Sequence, residues 1–447
     1  MTLAFRPDDT SPLVETLFAS LGIAPGTLVR AIDARDEMLG HLVEHLEGDR
    51  DRALFQYFQS GASIADSMIQ VLRWRFGDPG RVGKLLDFAS GYGRVTRFLV
   101  REIPPERVWV ADIYADGVRF QEERLGVHGI VSTLRPEDFS CGERFDAILV
   151  TSLFTHLPEE RFLAWLRALL GLLEPGGMLV FSVHSPEVLP PGVEMPAKGF
   201  FFHEISESGS LDTSDYGSTW VTDEFVRGAL ERVAGPGASL HRLERGICGY
   251  QELYLATLEP GVDFSSLAFQ SEPQLFVDRV ALVDAGKRLQ LDGWAAARSG
   301  QVREAELFLD GARIGAAPVD GLREDVARFL GSERHRHSGW ILSCPLPEGV
   351  SRSAPALLRL VDAQGKGRPA WAGSLDALLL TAAQASVRTL RRDLLHAEGV
   401  LAEERARAAV ESEALRARIA AMEASRFWKV RNAWFRVKRG LGLTDQP

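Results

Sequence analysis

Residues 85–99, LLDFASGYGRVTRFL, restrict the fold more than any other part of the 447-residue chain. The segment begins with a short apolar run and passes through Asp87 into a Gly-x-Gly turn at Gly91 and Gly93. Apolar residues at helical spacing follow the turn. This order of strand, tight turn and helix predicts the opening of a βαβ nucleotide-binding unit. The two glycines let the backbone approach a ligand that a Cβ would exclude.

The turn does not match the pattern of dinucleotide-binding proteins. Those proteins need G-x-G-x-x-G, whose third glycine allows a helix to pack closely on a strand. This chain has Thr96 at that position, so the helix start is less suited to a pyrophosphate. The carboxylate of Asp87, four residues before the first glycine, would repel a phosphate and attract an ammonium group.

Four segments, in order, resemble the motifs of class I S-adenosylmethionine-dependent methyltransferases. The turn is similar to motif I, D-x-x-x-G-x-G, and VWVAD at 108–112 is similar to the second strand with its terminal acid. FDAILVTS at 145–152 is similar to the fourth strand, and LEPGGMLVF at 173–181 to the L-x-P-G-G turn and fifth strand. The resemblance covers residues 81–258 and implies a Rossmann-like α/β fold with S-adenosylmethionine as cofactor. A Rossmann-like domain without methyl transfer is the alternative.

The resemblance also implies which residues contact the cofactor. Asp87 would lie near the methionine ammonium or the ribose edge, while Gly91 and Gly93 would give backbone access. Asp112 would bind the two ribose hydroxyls, which suits an ionised carboxylate because it only accepts hydrogen bonds. Thr151, directly after the fourth strand, is expected to join these residues in the cofactor site.

The acid that the family carries after its third strand has no clear counterpart. Thr133 occupies the expected position, and the nearest acids, Glu137 and Asp138, come later. The contact to the adenine amino group is therefore left open by the sequence.

A hydroxyl acceptor loses its proton during methyl transfer, so a nearby base would help. His156, which follows the fourth strand, is the predicted base, and His184 and His203 are the runners-up. A structural role for His156 within its loop is the alternative. No dense cluster of acidic metal ligands stands out, so we predict no metal site.

Composition and charge restrict the partners and the compartment. The formal net charge of −10 disfavours nucleic acid as a partner. The three cysteines are widely spaced, which indicates neither a disulfide framework nor a zinc cluster and suits a reducing cytoplasm. We expect no signal peptide and no membrane span, because no apolar run reaches the roughly 18–20 residues that a span needs.

Helices are expected before the methyltransferase-like part and a long loop within it. Residues 1–80 show periodic apolar positions of amphipathic helices, with a break predicted near residues 57–61. Residues 185–217 are rich in Pro, Gly, Ser and Asp and predict an irregular stretch over the mouth of the site.

A second architecture is predicted after the methyltransferase-like part. Residues 259–275 are interpreted as a linker. Short strands and the hairpin signal Asp310-Gly311 then predict a β-sandwich accessory domain over residues 276–378.

The C-terminal region combines a heptad repeat with a basic aromatic segment. Residues 382–425 predict a coiled coil and hence a homo-oligomer, with a single long helix as the alternative. Residues 426–442 hold six cations, no acid and four large aromatic residues. They predict an amphipathic helix that contacts an anionic membrane peripherally, or else docks on a partner. These parts resemble the C-terminal ends of bacterial polysaccharide-assembly enzymes.

Together these features predict a cytoplasmic methyltransferase, at most peripheral to the inner face of the membrane. The expected acceptor is a hydroxyl of a sugar or cell-envelope glycan. Two alternatives stay open: a small-molecule or lipid methyltransferase with an oligomerising C-terminus, and a non-catalytic S-adenosylmethionine-binding scaffold.

Overall fold

A computed structural model of the protein describes residues 11–206, 210–380, 415–416, 420 and 426–440. Residues up to 382 belong to one compact unit, and those after it to a second. Helices α1 to α9 are, in chain order, Pro12–Ser20, Glu37–His45, Arg50–Phe76, Thr96–Leu99, Ala115–Leu125, Glu159–Leu170, Asp223–Ala234, Glu324–Phe329 and Arg426–Gly440. Strands β1 to β9 are Leu85–Phe88, Val108–Asp112, His128–Val131, Phe145–Val150, Leu173–Val183, Phe200–His203, Ser218–Val221, Ser239–Ile247 and Gln251–Thr257. Strands β10 to β17 are Gln274–Val283, Arg288–Ala296, Val302–Leu309, Ala312–Pro318, Gly321–Leu322, His337–Pro345, Pro355–Asp362 and Gly367–Ser374.

Seven strands of the first unit form one sheet in the order β3-β2-β1-β4-β5-β9-β8. Strands β1 to β5 are parallel, and β9 runs antiparallel to both of its neighbours. The residues from Ala147 to Val150 in β4 are all buried, as expected for a central parallel strand that is covered on both faces. The Rossmann-like α/β fold predicted for residues 81–258 is confirmed.

Helices cover both faces of this sheet and form two buried clusters. Leu85 and Leu149 belong to the cluster that includes α1 and α3. Leu86 and Ile148 belong to the cluster that includes α6 and α7. Because successive strand residues face opposite sides of a sheet, each central strand supplies both cores, and the result is a three-layer domain.

The break predicted near residues 57–61 is wrong, because α3 continues through it without interruption. Gly61 has a packing role instead of ending the helix. A Cβ at Gly61 would clash with the carbonyl oxygen of Arg94 in the glycine turn. The glycine therefore lets α3 lie directly against the turn that follows β1.

A buried guanidinium fastens the N-terminal segment to the same turn. Arg97 is only 1% exposed. It donates to the carbonyl oxygens of Gly93 at 2.9 Å and of Val29 and Ala31 at 3.0 Å each. The hydroxyl of Tyr57 on α3 lies 3.5 Å from the guanidinium. One side chain thus connects the N-terminal segment, α3 and the glycine turn.

Part of the stretch predicted as irregular forms a small sheet. Strand β6 pairs antiparallel with β7, with Phe200 opposite Val221. The hydroxyl of Thr222 then caps α7 by accepting the N–H of Phe225. This small sheet holds the two ends of the segment between β6 and β7 next to each other.

Residues 274–374 form two four-stranded antiparallel sheets, ordered β10-β11-β15-β14 and β13-β12-β16-β17. Leu291 and Leu342 from the first sheet share one buried cluster with Leu307 and Leu358 from the second. The two antiparallel sheets in this part of the chain, for which the sequence predicts a β-sandwich over residues 276–378, therefore share one core.

A buried charge network joins these sheets to α3. Arg368 on β17 donates to the Asp66 carboxylate on α3 at 2.8 and 3.0 Å. Arg368 also pairs with Asp362, and Lys366 pairs with Asp66. Asp66, Asp362 and Arg368 are each less than 10% exposed. The Asp66, Asp362 and Arg368 side chains thus satisfy each other largely out of contact with water, while Lys366 is 42% exposed.

The second unit is described mainly by helix α9. Trp434 and Val437 are exposed on it. The Arg431 guanidinium lies over the rings of Trp428 and Phe435, 4.5 and 5.1 Å from their centroids. The coiled coil predicted for residues 382–425 lies outside the described residues, apart from three isolated positions. Among the helices described, none has the length and apolar content to cross a bilayer.

We expect Arg368→Met to lower the free energy of unfolding by about 3–5 kcal/mol, because it leaves the buried Asp66 and Asp362 carboxylates short of a partner. Urea unfolding measures this loss. Arg352→Met is the matched control, since its ion pair with Asp376 is more than half exposed and should cost under about 1 kcal/mol. Equal losses for both variants would contradict the role given to the network.

Candidate active site

A cleft of about 770 Å³ opens at the carboxyl edge of the large sheet. Segments that follow β1, β2, β3 and β4 line it, which is where open α/β sheets bind ligands. The cleft brings together most of the site residues predicted from the sequence, namely Asp87, Gly91, Asp112, Thr151, His156 and His184.

The turn after β1 has a backbone that only small residues adopt easily. Gly91 and Gly93 have positive φ angles of 56° and 77°. A Cβ on Gly91 would meet no atom within 4 Å, so the residue leaves open space. Gly93 lies behind the turn, where a Cβ would come within 2.9 Å of the Gln121 side chain. Gly91 thus borders the cleft, while Gly93 allows α5 to pack on the turn.

The Asp112 carboxylate is held rigidly at the end of β2. Its Oδ2 accepts the N–H of Gly91 at 2.7 Å, and its Oδ1 accepts the N–H of Tyr114 at 3.0 Å. Burial raises the pKa of this carboxyl, and the backbone donors oppose the shift. Each oxygen of an ionised carboxylate has two lone pairs, so both oxygens can accept a further hydrogen bond.

Asp87 is 1% exposed and belongs to a buried group of polar atoms that has more hydrogen-bond acceptors than donors. The Thr96 hydroxyl oxygen lies 2.7 Å from both Asp87 Oδ2 and Gln121 Oε1. Gln121 Nε2 donates to the carbonyl oxygen of Gly91, which fixes the amide orientation. One hydroxyl hydrogen cannot serve two acceptors, so a proton on Asp87 completes the cluster. Burial, with the nearby Asp112 charge, raises the pKa of Asp87 to about 7.

Arg94 is a cleft residue that the sequence analysis did not single out. It follows Gly93 directly, and its Nη1 donates to the Ser60 hydroxyl of α3 at 2.6 Å. Its charge opposes the rise in the Asp87 pKa. The turn thus presents a carboxyl and a guanidinium to the same cleft. The position next to the Gly-x-Gly turn was the signal that could have identified it.

His156 is oriented by the segment that precedes β7. Its Nδ1 lies 2.7 Å from the carbonyl oxygen of Gly217, and its ring stacks on Tyr216 with centroids 4.4 Å apart. A carbonyl only accepts, so Nδ1 carries the proton of the neutral ring and Nε2 is its basic nitrogen. This arrangement is suited to a general base, and it also anchors the loop.

The two runner-up histidines differ in position. His184 lines the cleft after β5, and burial and the nearby His156 lower the pKa of His184 to about 4. It is therefore neutral at pH 7. His203 lies on β6 with an exposed side chain, and its ring contacts Phe201 instead of the cleft.

The region after β3 has no acid at the expected position. Thr133 lines the cleft, but its hydroxyl donates to the Arg135 carbonyl oxygen within its own turn. Glu137 and Asp138 are exposed to solvent. Trp165 lines the same part of the cleft, which the sequence analysis missed.

The stretch before β7 contributes further residues that the sequence analysis did not name. Leu211, Asp215 and Tyr216 line the cleft. Arg161 on α6 ties this stretch to the sheet, because it pairs with Asp215 at 2.7 Å and donates to the Leu134 carbonyl oxygen at 2.7 Å. These partners are distant in sequence, so no local pattern could reveal them. No group of three or more metal-binding side chains is found within the described part of the chain.

Asp87→Asn is expected to stabilise the ligand-free protein at pH 8 by about 2–4 kcal/mol and to have little effect at pH 4.5. In the wild type the folded carboxyl has a pKa of about 7, against 3.8 when unfolded. The folded state therefore holds the proton more tightly, and stability falls as the pH rises from 4 to 7. An asparagine amide supplies the missing donor at every pH.

Urea unfolding at the two pH values measures this difference. Asp138→Asn is the control, because that carboxyl is exposed and should give the wild-type pH dependence. A pH dependence of Asp87→Asn that equals the wild-type curve would show that folding does not change the pKa of Asp87.

Comparisons with known proteins agree with this geometry. Residues 86–179 match the family model described as a methyltransferase domain. A trans-aconitate 2-methyltransferase of Rhodopseudomonas palustris (strain BisB18) is 31% identical over 139 residues, which are 30% of this chain and 51% of the relative. The chain thus spans about half the length of the curated relative that it matches.

Two solved structures are also similar to parts of the chain. The DesVI protein of Streptomyces venezuelae is 18% identical with a TM-score of 0.34, over 44% of this chain and 92% of that chain. The sugar N-methyltransferase KedS8 of a Streptoalloteichus species is 22% identical with a TM-score of 0.34, over 44% and 88%. The family match over residues 86–179 includes Asp87, Asp112 and Thr151, which all line the cleft.

Proposed function

We propose that this chain is an S-adenosylmethionine-dependent methyltransferase that acts on a hydroxyl of a sugar or cell-envelope glycan. One observation carries the cofactor assignment: the Asp112 carboxylate is fixed by two backbone N–H groups in the wall of the cleft. Its remaining lone pairs suit the vicinal hydroxyls of a ribose. Gly91 leaves space for a ligand beside it.

The rest of the turn suits the amino acid part of the same cofactor. Arg94 offers a guanidinium to a carboxylate, a pairing that guanidinium geometry favours. Asp87 offers a carboxyl to an ammonium, which would draw the Asp87 proton away because a nearby cation favours the ionised form. Both side chains line the cleft with Asp112, and Asp87 lies close enough to the Asp112 and Arg94 charges for them to affect its pKa.

Chemistry at the acceptor requires a positioned group and a base. S-adenosylmethionine, when bound, supplies an electrophilic methyl group, and the protein supplies orientation. In this proposal Nε2 of His156 takes the proton that the acceptor hydroxyl loses. The Nδ1–H bond to Gly217 keeps the ring in the tautomer that this role needs.

The C-terminal region supports the location and the partners in this proposal. The charge of helix α9, with six cations and no acid in its sequence, supports peripheral contact with an anionic membrane from the cytoplasmic side. The heptad repeat supports a homo-oligomer. A small-molecule or lipid methyltransferase and a non-catalytic scaffold are the alternatives, and a turnover assay with a panel of acceptors separates them.

Asp112→Ala is expected to weaken binding of S-adenosylmethionine and S-adenosylhomocysteine about 10- to 100-fold, since each charge-assisted hydrogen bond contributes roughly 1.5–3 kcal/mol. Calorimetric titration measures the dissociation constants. Asp138→Ala, an exposed acid outside the cleft, should leave them unchanged. Binding of NAD in place of both ligands would reassign the glycine turn to a redox cofactor.

His156→Gln is expected to lower kcat by about 10²- to 10⁴-fold with little change in cofactor affinity, because loss of a general base affects the chemical step. Steady-state kinetics over pH 5–9 and cofactor titration together provide the readout. His203→Gln is the control, since His203 is exposed on β6. A loss of thermal stability and of cofactor binding, in proportion to the loss of rate, would assign His156 a structural role instead.

A further inference from the structure

The order of strands divides the cleft into two halves. Asp87 and Asp112 lie at the ends of β1 and β2. On the other side of β4, the cleft continues past the end of β5 to the turn between β8 and β9. That second half is lined by His184, Tyr250 and Gln251. The cofactor residues occupy the first half, so the second half is where an acceptor would lie.

Glu272 reaches this cleft from the segment that joins the large sheet to β10. Its carboxylate accepts the Ser63 hydroxyl of α3 at 3.1 Å. Two hydrogen bonds from the Gln70 amide of α3 hold the same segment. The amide oxygen accepts the N–H of Gln270 at 2.8 Å, and the amide nitrogen donates to the Gln270 carbonyl oxygen at 3.1 Å. Burial raises the pKa of Glu272. The carboxyl is therefore held in place, and a donor ligand would offset part of its desolvation.

The charges that line the cleft favour one class of ligand. Within the described lining, the permanent cations are Arg94 and Arg161, and Arg161 is already paired with Asp215. The carboxyl groups in the same lining outnumber them: Asp36, Glu37, Asp87, Asp112, Asp215 and Glu272. Such a lining offers an anionic acceptor few cations to pair with, whereas its carboxyl oxygens accept hydrogen bonds from donor groups.

The second half of the cleft also combines an aromatic wall with fixed polar groups. Tyr250 is 47% exposed, and its ring lies 6.0 Å from that of His184. The buried Gln251 amide donates to the Ser152 hydroxyl at 3.1 Å. His184 Nδ1 is buried and has no hydrogen-bond partner within the described part of the chain. Ring faces with a few convergent polar atoms are typical of sites for small organic ligands.

We propose that Glu272 is the acceptor-recognition residue, and that the acceptor carries hydroxyl or amine donors and no negative charge where it enters the cleft. This inference rests on the proposed function and narrows its substrate. The acceptor proposed for this chain thus differs in charge from trans-aconitate, the tricarboxylate for which the relative is named. It also makes the segment before β10 part of the acceptor site.

The test is calorimetric titration of three probes into protein saturated with S-adenosylhomocysteine: methyl α-glucoside, glucosamine and trans-aconitate. We expect at least one donor probe to bind about tenfold or more tightly than trans-aconitate. Glu272→Gln should weaken that probe about 10- to 100-fold and change the S-adenosylhomocysteine dissociation constant less than about twofold. The two donor probes distinguish an amine-bearing from a neutral polyhydroxylated acceptor.

Two variants keep this test interpretable. Glu348→Gln removes an exposed carboxylate outside the cleft and should behave as the wild type. Glu272→Asp keeps the charge and should keep the preference against trans-aconitate, even where a shorter side chain weakens binding. Urea unfolding of each variant verifies the fold.

Three outcomes overturn the proposal: tighter binding of trans-aconitate than of both donor probes, binding of neither donor probe, or equal affinities for wild type and Glu272→Gln. The cofactor titration is independent of these. If S-adenosylhomocysteine does not bind, the proposed function fails and the acceptor role of Glu272 fails with it. If S-adenosylhomocysteine binds and one of the three outcomes is found, only the role of Glu272 fails.

Discussion

The buried guanidinium of Arg97 is the interaction on which the cofactor side of the cleft depends. Removing a cation from water is costly unless its donors are satisfied, and among the described residues no carboxylate forms an ion pair with Arg97. Backbone carbonyl oxygens accept its hydrogen bonds instead. The Tyr57 hydroxyl lies between Arg97 and Asp36, and it donates to the Asp36 carboxylate at 2.5 Å. Asp36 in turn caps α2 through the Met38 N–H. The helices over the cleft and the glycine turn beneath them are therefore positioned together.

Three of the non-glycine residues with a strained backbone lie along the same edge of the sheet. Ala89, Ser152 and Cys248 have positive φ angles of 58°, 60° and 49° and all line the cleft. Each lies where the chain turns directly after a strand, and residues with a Cβ adopt this conformation at a cost of order 1–3 kcal/mol. The surrounding hydrogen bonds hold it, as the Ser182 hydroxyl does for the N–H of Ser152 at 2.9 Å. The strained turns keep backbone and small side chains, instead of bulky ones, at the ligand edge.

Sequence patterns predicted the site residues that lie next to a strand in the sequence. Asp87, Asp112 and His156 each follow an apolar strand, and parallel strands bring their carboxyl ends to one edge, so their proximity could be predicted. Glu272 and Arg161 reach the cleft from segments whose placement depends on long-range packing, which no local periodicity records. Gly61 misled for a related reason, because a glycine that permits close packing has the same appearance in sequence as one that ends a helix.

The charge network around Asp66 has a mechanical consequence for the first unit. Phe308 and Leu357 from the C-terminal sheets belong to the same buried cluster as Leu17 from α1, so apolar contacts reinforce the ion pairs. The segment between β9 and β10 is therefore not a flexible linker, because these contacts hold the C-terminal sheets against α1 and α3. A force applied to the C-terminal sheets would therefore be transmitted through α3 to the glycine turn against which that helix packs.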